Sequence, residues 1–105
     1  MREVIRRLVE LGPIPDEDAD VELIGRHEFL LGEAYKELRP VTDDEARALI
    51  GLFGPDECFG LAWTLLHLVE SASGWPLWDG LGEFEKPWVA RLRERAMRAG
   101  FKPPN

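Results

Sequence analysis

Apolar side chains recur at intervals of three and four residues along most of the chain, the spacing of an amphipathic helix. Glycine and proline separate five such stretches, so the predicted helices are residues 1–11, 17–38, 43–53, 55–72 and 87–99. No segment shows the strict apolar and polar alternation of a half-buried strand. The pattern predicts an all-α fold: a compact single-domain bundle of about five helices over residues 1–105. The tail at 102–105 is expected to fray.

The breaks between these stretches have local causes. Gly12 followed by Pro13 ends the first helix, because glycine accepts the left-handed cap and proline cannot continue the helix. Thr42 and Glu45 form a capping box at the start of the third. Before the last helix lies a tryptophan- and glycine-rich loop at 75–85, which is expected to lack regular structure.

The helix predicted at 55–72 is the most apolar of the five. Its apolar residues cover roughly half of the circumference, which predicts a central helix with neighbours on both flanks. It contains the one cysteine of the chain, Cys58, which we interpret as a small core residue. Burial and the adjacent Asp56 and Glu57 would all oppose a thiolate there. A single cysteine allows no internal disulfide, and a reducing, cytoplasmic location fits best.

Charge is distributed unevenly along the chain. The net charge is −7, with +1 over residues 1–15, −13 over residues 16–85 and +5 over residues 86–105. Nucleic-acid binding needs a basic face and is not expected. The acidic middle favours a basic protein partner, attracted mainly through the association rate. Alternatively, the basic ends dock beside the acidic helices and partly neutralise them. No apolar run is long enough to cross a membrane, so membrane binding is not expected.

Phe29 does not fit the apolar stripe of its predicted helix. It falls on the opposite side, together with Gly25 and Gly32, which lie seven residues apart. Two glycines inside a helix are costly, so close approach of another helix would explain them. That helix could belong to this chain and bury Phe29. Otherwise the face formed by Gly25, Phe29 and Gly32 is a partner surface or a homodimer contact.

Three tryptophans are further candidates for partner contact. Trp63 lies on the polar side of the fourth predicted helix, and Trp75 and Trp78 follow that helix directly. Tryptophan is frequent at binding anchors because it combines a large apolar ring with an N–H donor. The structural alternative is that the loop folds back as a lid on the bundle, with Trp63 beneath it.

His67 and Glu70 are the one pair that suggests chemistry. Their i, i+3 spacing places them on the same side of a helix, where they could share a proton or bind a metal with Asp56 or Glu57. The other histidine, His27, lies within an apolar stripe and is expected in the core. Because no further ligand is apparent, we predict no catalytic residue, no metal site and no cofactor.

The most distinctive segment of the chain carries a resemblance. Residues 54–70 read Gly-Pro-Asp-Glu-Cys-Phe-Gly-Leu-Ala-Trp-Thr-Leu-Leu-His-Leu-Val-Glu, with Gly-Trp-Pro at 74–76. Through these two segments, residues 41–78 resemble a recurring pattern in small acidic bacterial proteins of unknown function. The resemblance implies a bacterial, cytoplasmic protein and brings no catalytic residues with it.

Together these patterns favour a non-enzymatic protein–protein interaction module. Its most concrete form is a small acidic protein that neutralises a basic partner, as immunity proteins neutralise nuclease-type toxins. The predicted partner-binding residues are Phe29, Trp63, Trp75 and Trp78. Two alternatives stay open: an enzyme or metal-binding protein that uses the His67 and Glu70 face, and a self-associating helical module.

Overall fold

Five α-helices follow the order of the predicted apolar stretches. The computed structural model describes residues 1–82 and 85–104, and its helices are α1 (Glu3–Leu11), α2 (Val21–Glu37), α3 (Asp43–Ile50), α4 (Leu61–Glu70) and α5 (Pro87–Arg98). Neither of those two ranges contains a β-strand. The prediction of an all-α fold is therefore confirmed. The Cα radius of gyration, 13.2 Å, is that of one compact domain of this length.

The centre of the bundle is α4. It packs against α2 and α3, and α1 contacts the same two helices. Six of its ten residues are buried: Leu61, Ala62, Leu65, Leu66, Leu68 and Val69. The central position predicted for this helix is confirmed, since an apolar surface this broad needs neighbours on more than one side.

The loop before α5 folds back onto the bundle. A short 3₁₀ helix, Trp78–Leu81, contacts both α3 and α5 and buries Leu81 completely. The prediction that this loop lacks regular structure is wrong for these four residues, because burial of Leu77 and Leu81 draws the segment into a tight turn. Residues 83 and 84 of the predicted loop, and residue 105 of the predicted tail, lie outside the described residues.

The largest difference from the predicted boundaries is at the start of α4. The helix begins at Leu61 and not near Pro55, because Cys58, Phe59 and Gly60 have φ angles of +44°, +53° and +90°. These left-handed conformations cannot continue into a right-handed helix. The chain therefore makes a turn over residues 58–60, which we call the left-handed turn.

Helices α2 and α3 are also shorter than predicted. Helix α2 begins at Val21 and not at residue 17, because the Asp20 carboxylate caps it by accepting from the Glu22 N–H at 3.0 Å. Helix α3 ends at Ile50, and the chain then pairs with the connector after α1. The Ile14 N–H donates to the Leu52 carbonyl at 2.9 Å.

Both basic ends of the chain bind carboxylates of the acidic middle. Arg2 pairs with Glu45 of α3 at 2.7 Å, and Arg95 of α5 pairs with Glu70 of α4 at 2.7 Å. The predicted partial neutralisation of the acidic helices by the terminal segments therefore takes place at these two points. The remaining acidic residues near residues 16–20 and 56–57 are not part of either pair.

Candidate interaction surfaces

Phe29 lies on the surface of α2. Its side chain is 67% exposed, while His27, Leu31 and Ala34 on the opposite side of the helix are buried. A Cβ atom built at Gly25 or Gly32 would meet nothing within 4 Å. The expectation that a helix of this chain crosses over the glycines is therefore wrong for the described residues. We call this side of α2 the outer face; it comprises Val21, Gly25, Phe29, Gly32 and Lys36.

An open groove runs beside the outer face, between α1 and α2. Its volume is about 680 Å³. Apolar atoms of Leu11, Leu30 and Phe29 line it, and four charged side chains surround them: Arg7, Glu10, Glu22 and Arg26. Two positive and two negative groups leave this groove without a net charge, which distinguishes it from the acidic middle of the chain.

Trp63 is held within the fold on several sides. Its ring is half-buried and meets the buried Trp88 edge to face, with ring centroids 5.3 Å apart. Its indole N–H donates to the Glu57 carboxylate at 3.0 Å, and the Arg91 guanidinium lies 5.0 Å from the ring. These contacts account for a large aromatic residue on the polar side of α4.

Trp75 and Trp78 pack against the core as the lid interpretation predicts, but Trp63, which that interpretation placed beneath the loop, lies against Trp88 of α5. Both are half-buried, and they flank the buried Leu77. The Arg93 guanidinium lies 5.4 Å from the Trp78 ring. Each tryptophan retains a partly exposed face, so the structure brings them to the surface without making either one a protruding side chain.

Phe59 is a strongly exposed aromatic residue that the sequence patterns did not single out. It is 70% exposed and sits in the middle of the left-handed turn. A phenylalanine with positive φ is rare, and backbone strain of this kind is concentrated at functional sites. The signal available in the sequence was Gly60, which interrupts the apolar pattern immediately after Phe59. The predicted helix over 55–72 includes this glycine, whereas the structure places it in the turn before α4.

Carboxylates from two distant segments surround the left-handed turn. The Asp56 carboxylate accepts from the Cys58 N–H at 2.9 Å and from the Glu17 N–H at 3.1 Å. The Glu17 carboxylate accepts in turn from the Phe59 N–H at 3.0 Å. These bonds join the segment before α2 to the segment before α4. We call the surface formed by Phe59, Asp16, Glu17, Asp56 and Glu57 the acidic turn surface.

The field at this surface is negative, and it suppresses thiol chemistry. Burial raises the pKa of the Cys58 thiol, and the charges of Asp56, Glu17 and Asp16 raise it further. The thiol is also fully buried. Cys58 therefore stays protonated and inaccessible, as the interpretation of a core residue predicts. The same carboxylates favour the approach of cationic groups.

His67 and Glu70 do not form a close pair, because Glu70 binds Arg95 of α5. Both carboxylate oxygens of Glu70 accept from the Arg95 guanidinium, at 2.7 and 2.9 Å, whereas the His67 Nδ1 is 3.8 Å away. His27 is buried, with its ring nitrogens 3.0 Å from the Leu23 carbonyl and 3.1 Å from the Gly12 carbonyl. Within residues 1–82 and 85–104, no three metal-ligating side chains come together.

No family model, curated protein or solved structure matches this chain. None of the helices in the described part of the chain combines the length and apolar character needed to span a bilayer.

Proposed function

We propose that this protein is a non-enzymatic interaction module that binds a basic protein partner through the acidic turn surface. One observation carries the proposal: Phe59, 70% exposed, is presented by a strained turn among carboxylates from two separate segments. Glu17, Asp56 and Glu57 share a surface pocket with Arg91, so carboxylates outnumber the cation there. An exposed aromatic ring beside a mainly acidic surface has the composition of a binding anchor with an electrostatic rim.

The two parts of this surface have different effects on binding. Burying a phenylalanine side chain in a partner's pocket contributes roughly 1.5–3 kcal/mol. The turn is already held by hydrogen bonds, so little conformational entropy is lost on binding. The carboxylates act mainly on the association rate and on the choice of partner. This combination suits a small acidic protein that neutralises a basic one, as immunity proteins neutralise nuclease-type toxins.

The tryptophans predicted as anchors have a supporting part in this proposal. Trp63 fixes the Glu57 carboxylate through its indole N–H, at 3.0 Å, and so helps to shape the surface. Trp75 and Trp78 stabilise the lid, and their partly exposed faces are secondary contacts at most. Phe29 belongs to the outer face of α2, where the groove carries no net charge.

Affinity capture from a lysate of the cells that produce this protein tests the proposal, with three matched forms of the tagged chain as bait. These are the wild type, Phe59→Ala, and a double variant, Asp16→Asn with Glu57→Gln, whose amide oxygens still accept the native hydrogen bonds. We expect the wild type to recover one basic protein in stoichiometric amount. With that protein purified, Phe59→Ala should raise its dissociation constant by roughly tenfold to a hundredfold, which corresponds to the loss of one buried phenylalanine side chain. The double variant should lower the association rate and its salt dependence.

Phe29→Ala is the control, since it removes an equally exposed ring from a different surface. It should bind the partner like the wild type. Recovery of no partner, recovery of an acidic partner, or full binding by Phe59→Ala would each contradict the proposal.

A further inference from the structure

The outer face of α2 has apolar exposure that the acidic turn surface does not explain. Val21 is 82% exposed and Phe29 is 67% exposed, and no other helix within the described residues covers them. We propose that this face binds the same face of a second copy of this chain. The two α2 helices would lie antiparallel, with the two-fold axis at Phe29. Such an isologous contact requires the face to be complementary to itself.

The charges along α2 meet that requirement. Glu22 lies seven residues before Phe29, and Lys36 lies seven residues after it. Antiparallel pairing about Phe29 therefore places Glu22 of each copy opposite Lys36 of the other, roughly 10 Å from the axis. All three side chains are exposed.

A second pair of charges follows the same symmetry. Arg26 lies three residues before Phe29 and Glu33 lies four residues after it, and both are exposed. Residues seven apart differ by only about 20° around a helix, so Arg26 and Glu33 are on the same side of α2. In the antiparallel pair each Arg26 meets the Glu33 of the second copy. The contact thus contains four pairs of opposite charge and no pair of like charge among these positions.

The two glycines complete the symmetry on the other side of the face. Gly25 lies four residues before Phe29 and Gly32 lies three residues after it, so each is nearly opposite the other across the axis. Nothing within 4 Å would obstruct a Cβ atom at either position, so this chain alone has no need of glycine there. The close approach of the backbone of a second copy would explain why both positions are glycine.

The groove beside the face gives Phe29 a place to bind. Its volume of about 680 Å³ exceeds that of one phenyl ring, and its walls include apolar atoms of Leu11 and Leu30. In the antiparallel pair the Phe29 ring of each copy comes over the groove of the other. The opposite charges of Glu10, Glu22, Arg7 and Arg26 surround the contact, as a polar rim surrounds an apolar centre.

Analytical ultracentrifugation of the full chain, from micromolar to millimolar concentration, tests the proposal. We expect a monomer–dimer equilibrium for the wild type. Phe29→Ala should raise the dissociation constant of the dimer at least roughly thirtyfold, because both copies lose their central side chain. Arg26→Glu should raise this constant about tenfold, since it creates two repulsive pairs with Glu33. Combining it with Glu33→Arg should restore the wild-type value.

The glycines provide an independent readout. Replacing both Gly25 and Gly32 with alanine should raise the thermal midpoint of the dilute monomer, because alanine favours the helix. The same variant should weaken the dimer by roughly tenfold or more, because its added methyl groups keep the helices apart. A purely structural role of these positions would leave association unchanged.

Phe59→Ala is the control and should dimerise like the wild type, which separates this test from that of the proposed function. Circular dichroism establishes that each variant is folded. A wild type that stays monomeric throughout, a dimer that survives Phe29→Ala, or a double reversal that fails to restore association would each overturn the proposal.

Discussion

Glu45 shows how one side chain can join two parts of the chain. Its side chain is 1% exposed, and its carboxylate accepts from the Thr42 N–H at 3.0 Å and from Arg2 at 2.7 Å. The first bond is half of the predicted capping box, which the structure confirms. The second attaches the start of the chain to α3. These donors, led by the Arg2 guanidinium, lower the pKa of Glu45 from 4.5 to about 2.

Stability should therefore depend on pH through Glu45. A carboxyl group whose folded pKa is depressed stabilises the fold fully above its unfolded pKa, and the contribution is lost as pH falls through the folded value. The relevant window lies between pH 4.5 and about 2. We expect Glu45→Gln to lower the free energy of unfolding by about 3 kcal/mol at pH 7. The difference from the wild type should shrink to near zero by about pH 2. Urea denaturation at several pH values measures it.

Glu94→Gln is the matched control, because Glu94 pairs with Arg98 on an exposed stretch of α5. Its effect should stay within about 0.5 kcal/mol at every pH. An unfolding free energy that falls equally steeply with acid in Glu45→Gln and in the wild type would show that this pair is not responsible.

At the level of the elements, the left-handed turn determines where α4 begins. Apolar periodicity continues through Cys58 and Phe59, so a pattern that counts only side chains extends the helix to residue 55. The carboxylates of Glu17 and Asp56 accept backbone N–H groups and hold residues 58–60 in another conformation. The Asp56 bond to the Cys58 N–H is local, but the two bonds that join Glu17 to Asp56 and to Phe59 span 39 and 42 residues, and no local pattern contains them.

A pair of variants tests the left-handed conformation. Phe59→Gly and Phe59→Ala remove the same exposed ring, but only glycine adopts the φ of +53° without strain. We expect Phe59→Gly to be more stable than Phe59→Ala by about 1 kcal/mol, as measured by chemical denaturation. Equal stabilities, or a more stable alanine variant, would mean that this position is not left-handed in solution.

The number and order of the helices could be predicted from the sequence, whereas their boundaries and the exposed residues could be predicted only in part. Each α-helix corresponds to one predicted apolar stretch, because the three- and four-residue spacing records which face is buried. The exposure of Phe29 could also be predicted, since this residue falls opposite the apolar stripe of α2. Phe59 was not recognised, because its exposure results from hydrogen bonds between distant segments. The sequence pattern marks Trp63 and Trp88 as large side chains, but it does not predict that Trp88 packs against both Trp63 and Phe53.

At the scale of the whole molecule, α5 is attached to the bundle through the short 3₁₀ helix of the lid and through aromatic side chains. Trp88 of α5 stacks on Phe53, with centroids 5.7 Å apart, and meets Trp63 of α4. Trp78 and the buried Leu81 extend the contact to α3. The aromatic residues thus attach the C-terminal part of the chain to the central helix.

The lid should therefore matter more for stability than the outer face does. We expect Trp78→Ala to lower the free energy of unfolding by about 1–3 kcal/mol, because a half-buried ring is removed from the core boundary. Phe29→Ala, which removes a ring that is 67% exposed, should change it by at most about 0.5 kcal/mol in dilute solution. Thermal and urea denaturation compare the two. A Trp78→Ala variant as stable as the wild type would instead favour the loop as a binding surface.

The contact between Trp63 and Trp88 also provides an intrinsic spectroscopic probe, in tryptophan fluorescence and near-ultraviolet circular dichroism. The two indoles stand 5.3 Å apart at an interplanar angle of 89°, one on α4 and the other on α5. Their emission and near-ultraviolet dichroism therefore depend on the docking of α5 against the central helix. The exposed phenylalanines lie outside this pair, so surface variants can be compared without an added label. In stopped-flow refolding, the same signal would time the arrival of the last helix.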